Sequence, residues 1–422
     1  MSQISKYYQV LSSYLGIFAF GFVLHPKLIG LLMLGLITVI IIGYVNKHLT
    51  FKLNKVGALF IVLYFTFLIG VLFTNNPTQS AIYLENKLSF LFFPLLFSFR
   101  STKEIKLNII FMGFVLGTFI ITLMGLISGL NCYFTTCTGR ACLLASSVSP
   151  YHHPTYLSAY LITSIGMAIK GLKEKWRFFN VKWVLPFILF LIFMHGLLLS
   201  LSGILFLFIA IAVAVVYWIK KTFSKLLFYL SIIVLPFTCY IAITNIPQVN
   251  GEWYNAKFFV DEYLKSPSDF VKTRVYPMSG SEVRISMWTV SSQVFFKHPF
   301  GVGTGNVDDY LSKELIKLKQ IDLSKRMYNP HNQFLQTGVE IGFFGLIIFV
   351  LIIGYSIYLS LKFRNWILLL LATNLLFNSL FESMMQRQSG IVFYSFWICF
   401  LVALNFTIDN TNNHELTHDE II

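Results

Sequence analysis

Apolar runs of about twenty residues recur along this chain, and short segments rich in lysine and arginine separate them. About twenty apolar residues make a helix that crosses the ~30 Å hydrocarbon core of a bilayer. The pattern therefore predicts an all-α polytopic membrane protein with twelve spans, at 8–24, 27–45, 56–73, 81–98, 107–130, 154–169, 183–199, 203–219, 226–246, 333–359, 366–382 and 391–407. The fourth is the weakest, because Glu85, Lys87 and Pro94 interrupt it. No small-residue cleavage site follows Lys6, so the first run reads as a span rather than a leader.

Charge orients the spans. With the N-terminus inside, seventeen lysines and arginines fall on inner segments, and only Lys27, Arg140 and Arg387 fall on short outer loops. Cytoplasmic loops carry such an excess. The net charge of +14 is thereby accounted for without nucleic acid. Segment 247–332 then becomes one large extracytoplasmic loop between the ninth and tenth helices, with an amphipathic stretch from Glu282 to Phe296. The expected organisation is helices one to nine in 1–246, the loop in 247–332, helices ten to twelve in 333–407 and a polar cytoplasmic tail in 408–422. At 56% hydrophobic and 12% charged residues, the composition excludes an ordinary soluble domain.

Polar residues inside the apolar runs mark candidate chemistry. Asn332, Gln336 and Glu340 share one face of the tenth span, and Asn374, Asn378 and Glu382 repeat that spacing on the eleventh. A carboxylate within a span is costly and is read as functional by default. Both stripes lie in outer halves, near His152, His153, Tyr156, Ser200, Ser202 and Arg387. The plainer reading of such amides and hydroxyls is helix–helix glue. His331, whose imidazole can take up or release a proton, precedes the first stripe. Equally, Asn332 suits an N-cap with His331 as its surface neighbour. Arg284 and Trp288 stand one helical turn apart, as a cation for phosphate and an aromatic face, or as an exposed charge beside a core ring. Gly301-Val-Gly-Thr-Gly305 reads as a tight turn, with a backbone cradle for phosphate as the alternative. Cys132, Cys137 and Cys142 share an outer loop, where a disulfide with one thiol left over fits better than a zinc site with His152 or His153. Cys239 and Cys399 read as core residues.

Taken together, Arg284-x-x-x-Trp288, His298-Pro-Phe-Gly-Val-Gly-Thr-Gly305 and His331-Asn-Gln-Phe-Leu-Gln-Thr-Gly-Val-Glu340-Ile-Gly-Phe-Phe-Gly345 resemble the signature of the O-antigen ligase and O-antigen polymerase family. The resemblance is strongest over about 282–350. It implies a GT-C-like, metal-independent glycosyltransferase of the bacterial inner membrane, with its active site facing the periplasm and no cofactor. The donor would be a glycan on undecaprenyl pyrophosphate. The acceptor would be lipid A–core for a ligase, or another lipid-linked glycan for an O-antigen or capsular repeat polymerase. By position, Arg284 and His331 match the family's functional arginine and histidine. Asn332, Trp288, His153, Gln336, Glu340 and Glu382 are further substrate-binding candidates. Many members carry Ser-Arg where this chain has Ser202-Gly203, so a second cation is sought at Arg140, Arg274 or Arg387. The rival class is a polysaccharide or lipid transporter or flippase. Transporters of this size usually show internal repeats with a midplane site, and no such repeat is visible here.

The charge asymmetry makes a direct prediction. With native cysteines replaced, single cysteines at Ser266 and Ser312 should react with a membrane-impermeant thiol reagent in intact spheroplasts, and one at Lys173 should not. The opposite labelling overturns the orientation.

Overall fold

The computed structural model describes residues 3–101, 105–136, 139–222 and 247–419, together with 229, 234 and 245. The described chain is helical apart from turns and one two-stranded ribbon. The first half holds α1 (Gln3–Leu24), α2 (Ile29–Val45), α3 (Lys55–Gly70), α4 (Pro77–Lys87), α5 (Ser89–Leu96), α6 (Leu107–Thr136), α7 (Pro154–Lys173), α8 (Val181–Leu197) and α9 (Leu201–Thr222). Strands β1 (Leu49–Phe51) and β2 (Phe99–Ser101) pair antiparallel, with Thr50 opposite Arg100. After residue 246 come α10 (Pro247–Lys265), α11 (Gly280–Lys297), α12 (Val307–Lys317), α13 (Ile321–Lys325), α14 (Gln333–Lys362), α15 (Trp366–Ser379) and α16 (Gln388–Asp419).

Among the described residues, seven helices are long and apolar enough to cross a membrane: α1, α2, α3, α6, α9, α14 and α16. Helices α8 and α15, which overlap the expected spans 183–199 and 366–382, are apolar but shorter. The expected fourth span is not continuous. It divides at Leu88 into polar α4, which ends in Glu85-Asn86-Lys87, and apolar α5, which contains Pro94. Helix α7 is buried over most of its length. Segment 226–246 lies almost wholly outside the described residues.

Helix α16 is apolar on every side over 391–404 and accordingly lies at the centre of the bundle. Phe18, Phe93 and Phe97 pack on Phe396, and Phe111 and Phe114 meet Trp397 edge-on. Segment 247–332 has a second, smaller core, in which Val283, Met287, Val290 and Val294 of α11 meet Val307, Leu311 and Leu315 of α12. Val339 of α14 belongs to it and ties the loop to the bundle.

The decisive local feature is a break in α14. Ile341 (φ −129°, ψ 18°) and Gly342 (φ 72°, ψ −171°) leave the helical region. The carbonyls of Val339 and Glu340 lose their donors one turn on, and the Phe343 amide loses its acceptor. The glycine-rich turn supplies all three. Val302 N donates to Val339 O (2.8 Å), Gly303 N donates to Glu340 O (3.1 Å), and Pro299 O accepts from Phe343 N (2.9 Å). Thr304 N reaches Gly70 O at the end of α3 (3.1 Å). Gly301, Gly303 and Gly305 all take positive φ, near +90°. With its amides so engaged, the turn is structural, and the phosphate-cradle alternative is set aside.

Gly342 lies at positive φ, and a Cβ there would overlap the Phe300 backbone. Gly342→Ala should therefore lower thermal stability in detergent by about 1–3 kcal/mol equivalent. Gly354→Ala, in open space on the same helix, should be neutral or slightly stabilising. Equal melting temperatures for the two variants would contradict this account of the break.

Candidate functional site

Helix α11 begins at a capping box. Ser279 Oγ accepts from Glu282 N, and Glu282 Oε2 accepts from Ser279 N, both at 3.2 Å. Starting there, the helix puts Arg284 and Trp288 on its face toward a cavity of about 760 Å³. That volume suits a small-molecule-sized group. His153, Thr155, Ser200, Ser202 and Asn255 also line the cavity, and apolar side chains that include Leu198, Leu201, Val260 and Phe381 make up most of the remaining wall. Arg284 is half-buried, and its Nε is sealed from water without a hydrogen-bond partner. Among the described residues its guanidinium has no carboxylate. An unpaired, partly desolvated cation facing a cavity is the expected form of an anion site awaiting its ligand.

His331 stands beside that cavity. Trp288 Nε1 donates to the His331 carbonyl (3.3 Å), and His331 N donates to Asn329 Oδ1 (2.8 Å). The residue is held at φ +48°, a conformation that non-glycine residues seldom adopt. Its Nδ1 meets Glu382 Oε2 at 3.3 Å. The imidazole is 21% exposed and the carboxylate 8%, so the pair is accessible from the histidine's side. Burial raises the Glu382 carboxyl, but the hydrogen bond and charge of His331, with His153 and the Ser383 amide, outweigh it and pull the group down to about 2. His153 caps α7 and is pushed down, first by burial and then by Arg387, His331 and Arg284 acting against Glu382.

The segment after α15 is docked along the N-terminal half of α14. Gln333 Oε1 accepts from Met385 N (2.6 Å), Asn332 Nδ2 donates to Leu380 O (3.1 Å), and Gln386 Nε2 donates to Glu340 Oε2 (2.9 Å). Tyr156 donates to Ser383 O (3.0 Å) from α7. Asn332 also caps α14 by accepting from Leu335 N (3.0 Å). The expected stripe thus exists, and its partners are the 380–387 segment rather than open space. Gln336 donates to Glu340 (3.3 Å). On the second stripe, Asn374 accepts from Tyr394 of α16, which is the helix-glue reading, while Asn378 only bonds back to the Asn374 carbonyl within α15.

The expected candidates divide accordingly. Arg284, Trp288 and His153 line one cavity, His331 and Glu382 pair at its edge, and exposed Arg387 is close enough to influence His153. Arg274 is not brought in. It binds Glu262 (2.7 Å) and lies 3.7 Å from Glu282, joining α10 to the start of α11. The Arg140 side chain lies outside the described residues. At Gly203 there is no room for an arginine stem, because a Cβ would overlap the Ser158 hydroxyl, which bonds His195 Nε2 at 2.9 Å. Cys132 and Cys142 form a disulfide, Cys399 is buried, and Cys137 and Cys239 lie outside the described residues. His152 is engaged at both ring nitrogens by Ser389 and Val23 O. One residue was missed. Lys87 was read as an interruption of a span, yet it is fully buried and paired with Glu340 at 3.4 Å. A lysine in an apolar run, with a carboxylate in another, was the available signal.

The low carboxyl of Glu382 has a consequence for stability. A depressed pKa contributes stability above the ordinary value of 4.5 and loses it as pH falls toward about 2. The melting-temperature gap between the wild type and Glu382→Gln should therefore be complete at pH 5 and shrink steadily below it. A gap that stays constant from pH 5 to pH 3 contradicts the pairing.

Residues 186–350 match the family model described as O-Antigen ligase. That segment runs from within α8 to within α14, and it contains Arg284, Trp288, His331 and Glu340. No curated protein matches the chain. Over that segment, which holds the cavity-lining helix and the histidine corner, this all-α chain with seven candidate membrane helices among its described residues is similar to the O-antigen ligase family.

Proposed function

We propose that this protein transfers a glycan from undecaprenyl pyrophosphate to a sugar hydroxyl at the periplasmic face of the bacterial inner membrane, as an O-antigen ligase acting on lipid A–core. The observation that carries the reading is Arg284, without a carboxylate among the described residues, in a cavity beside the His331–Glu382 pair. A pyrophosphate is a good leaving group, so the site needs a cation to neutralise it and a group to orient the nucleophile. Neither task calls for a metal or a cofactor. Arg284 binds the pyrophosphate, with Arg387 as the second cation in place of the arginine absent at Gly203. Trp288 offers an aromatic face to the first sugar. Segment 247–332 forms the extracytoplasmic part that carries this wall.

His331 acts as base. With Nδ1–H donated to Glu382, Nε2 keeps its lone pair for the acceptor hydroxyl. The hydroxyl oxygen attacks the anomeric carbon and its proton passes to Nε2. The bond from that carbon to the pyrophosphate oxygen breaks, and the leaving lipid pyrophosphate carries the electron pair. Glu382 holds the ring orientation and stabilises the imidazolium, as the carboxylate does in serine-protease triads.

Single-turnover transfer from a lipid-linked donor in nanodiscs tests this reading, with donor affinity measured separately. His331→Ala should slow transfer about 10²–10⁴-fold and leave donor binding nearly intact. Arg284→Ala should abolish both, and Arg284→Lys should retain part because it keeps the charge and loses the planar fork. Wild-type transfer by His331→Ala at normal protein level removes the base. A protein that moves lipid-linked glycan across the bilayer without forming a glycosidic bond is a transporter instead. A deletion strain bearing a single repeat on its core indicates a polymerase, whereas loss of all long chains with accumulating lipid-linked polymer indicates the ligase.

A further inference from the structure

The least expected group in the molecule is Lys87. It ends α4, is completely buried, and belongs to no part of the catalytic proposal. Its ammonium lies 3.4 Å from Glu340 Oε1 and 3.3 Å from Gln386 Oε1. Phe67 of α3 and Tyr83 of α4 cover it with ring faces, their centroids at 4.4 Å and 4.9 Å. Four elements therefore meet on one charge: α3, α4, the N-terminal half of α14, and the segment that follows α15.

A charge in such a place demands compensation. Glu340 supplies the countercharge, and its second oxygen accepts from Gln386 Nε2 at 2.9 Å and from Gln336 Nε2 at 3.3 Å. Gln386 is held from both ends, its amide oxygen on Lys87 and its amide nitrogen on Glu340. Four residues earlier the same segment presents Glu382 to His331, and the next residue is Arg387. Between them, Met385 N is fixed to Gln333 and the Ser383 hydroxyl to Asn329, the residue that also holds the His331 amide.

We infer that Lys87 is a positioning residue: the buried Lys87–Glu340 pair clamps Gln386 and thereby sets where the 380–387 segment places Glu382 and Arg387 against His331. Lys87 touches no substrate in this arrangement. Its effect on catalysis rests on the transfer reading above, but its effect on the segment does not. Removing the lysine leaves Glu340 anionic and unpaired. The anion then recruits Gln386 and water, and the segment loosens. Removing both charges restores a neutral amide network, because glutamine at 340 can still bond Gln336 and Gln386.

The test compares wild type, Lys87→Met and Lys87→Met/Glu340→Gln in two measurements. The first is hydrogen–deuterium exchange of the peptide covering 380–390 in detergent, which needs no activity. The second is glycan transfer with kcat and donor KM resolved. Lys87→Met should speed exchange in that peptide at least tenfold while α16 stays protected. It should lower kcat at least tenfold with donor KM within threefold of wild type. The double variant should recover most of both losses. A merely structural lysine would loosen α4, α14 and α16 together and would not be rescued by a second charge removal. Should Lys87→Met not accumulate as folded protein, Lys87→Gln removes the charge, keeps a donor toward Glu340, and is read in the same two ways. Wild-type exchange in 380–390 for the charge-removed variant overturns the clamp. So does altered exchange with kcat unchanged in an active protein. Altered and rescued exchange in a protein whose wild type forms no glycosidic bond keeps the clamp and removes the transfer reading.

Discussion

Backbone polar groups that lose their partners within a membrane bundle must find new ones, and the break in α14 at Ile341–Gly342 creates three such groups at one level. Most of the site follows from how they are satisfied. The turn that fills the break comes from the large loop, so α11 and α12 are tied to the bundle at a single depth. The same turn reaches the end of α3 through Thr304, whose hydroxyl donates to Phe67 O. Phe67 in turn offers its ring to Lys87. A defect in one helix thus sets the position of the cavity wall that carries Arg284.

Three arrangements of charge lie close together, and they differ in exposure and partner. The Lys87–Glu340 pair is sealed. Such pairs are weak stabilisers overall and severe liabilities once one member is lost. The His331–Glu382 pair is sealed on the carboxylate side and open on the imidazole side, which lets a carboxylate direct a ring that still meets ligand. Arg284 has no partner at all among the described residues. This gradient, from fully compensated to uncompensated, runs from the centre of the docked segment to the cavity. It separates groups that hold the structure from groups available for binding.

Several sequence features were legible because they depend on local periodicity. The N-terminal half of α14 and its cap do present Asn332, Gln336 and Glu340 as a stripe, and α11 does carry Arg284 and Trp288 to one cavity. Others were legible only as alternatives. Asn374 holds α15 to α16 through Tyr394, and the glycines of 301–305 serve a break that has no periodic signature. Arg274 and Arg284 look alike along the chain. One is neutralised by carboxylates from α10 and α11, whereas the other has no carboxylate partner among the described residues. Their difference is a matter of which helices become neighbours.

The sequence by itself determined the class of structure, because burying backbone polar groups in hydrocarbon forces apolar stretches to be helical, and because the bias of lysine and arginine predicts one orientation. It also marked the histidine corner and the α11 cation by residue type and spacing. Only the tertiary structure decided which charges are paired. Lys87 and Glu340 are separated by 253 positions, and no local rule joins them. The fourth expected span became two helices that divide at Leu88, and the lysine that ends the first is buried against Glu340. The place of Gly203 was decided in the same way, since Ser158, held by His195 from another helix, occupies the space that an arginine stem would need. Pairing and exclusion depend on the distances between helices, and those are settled only when the bundle closes around α16.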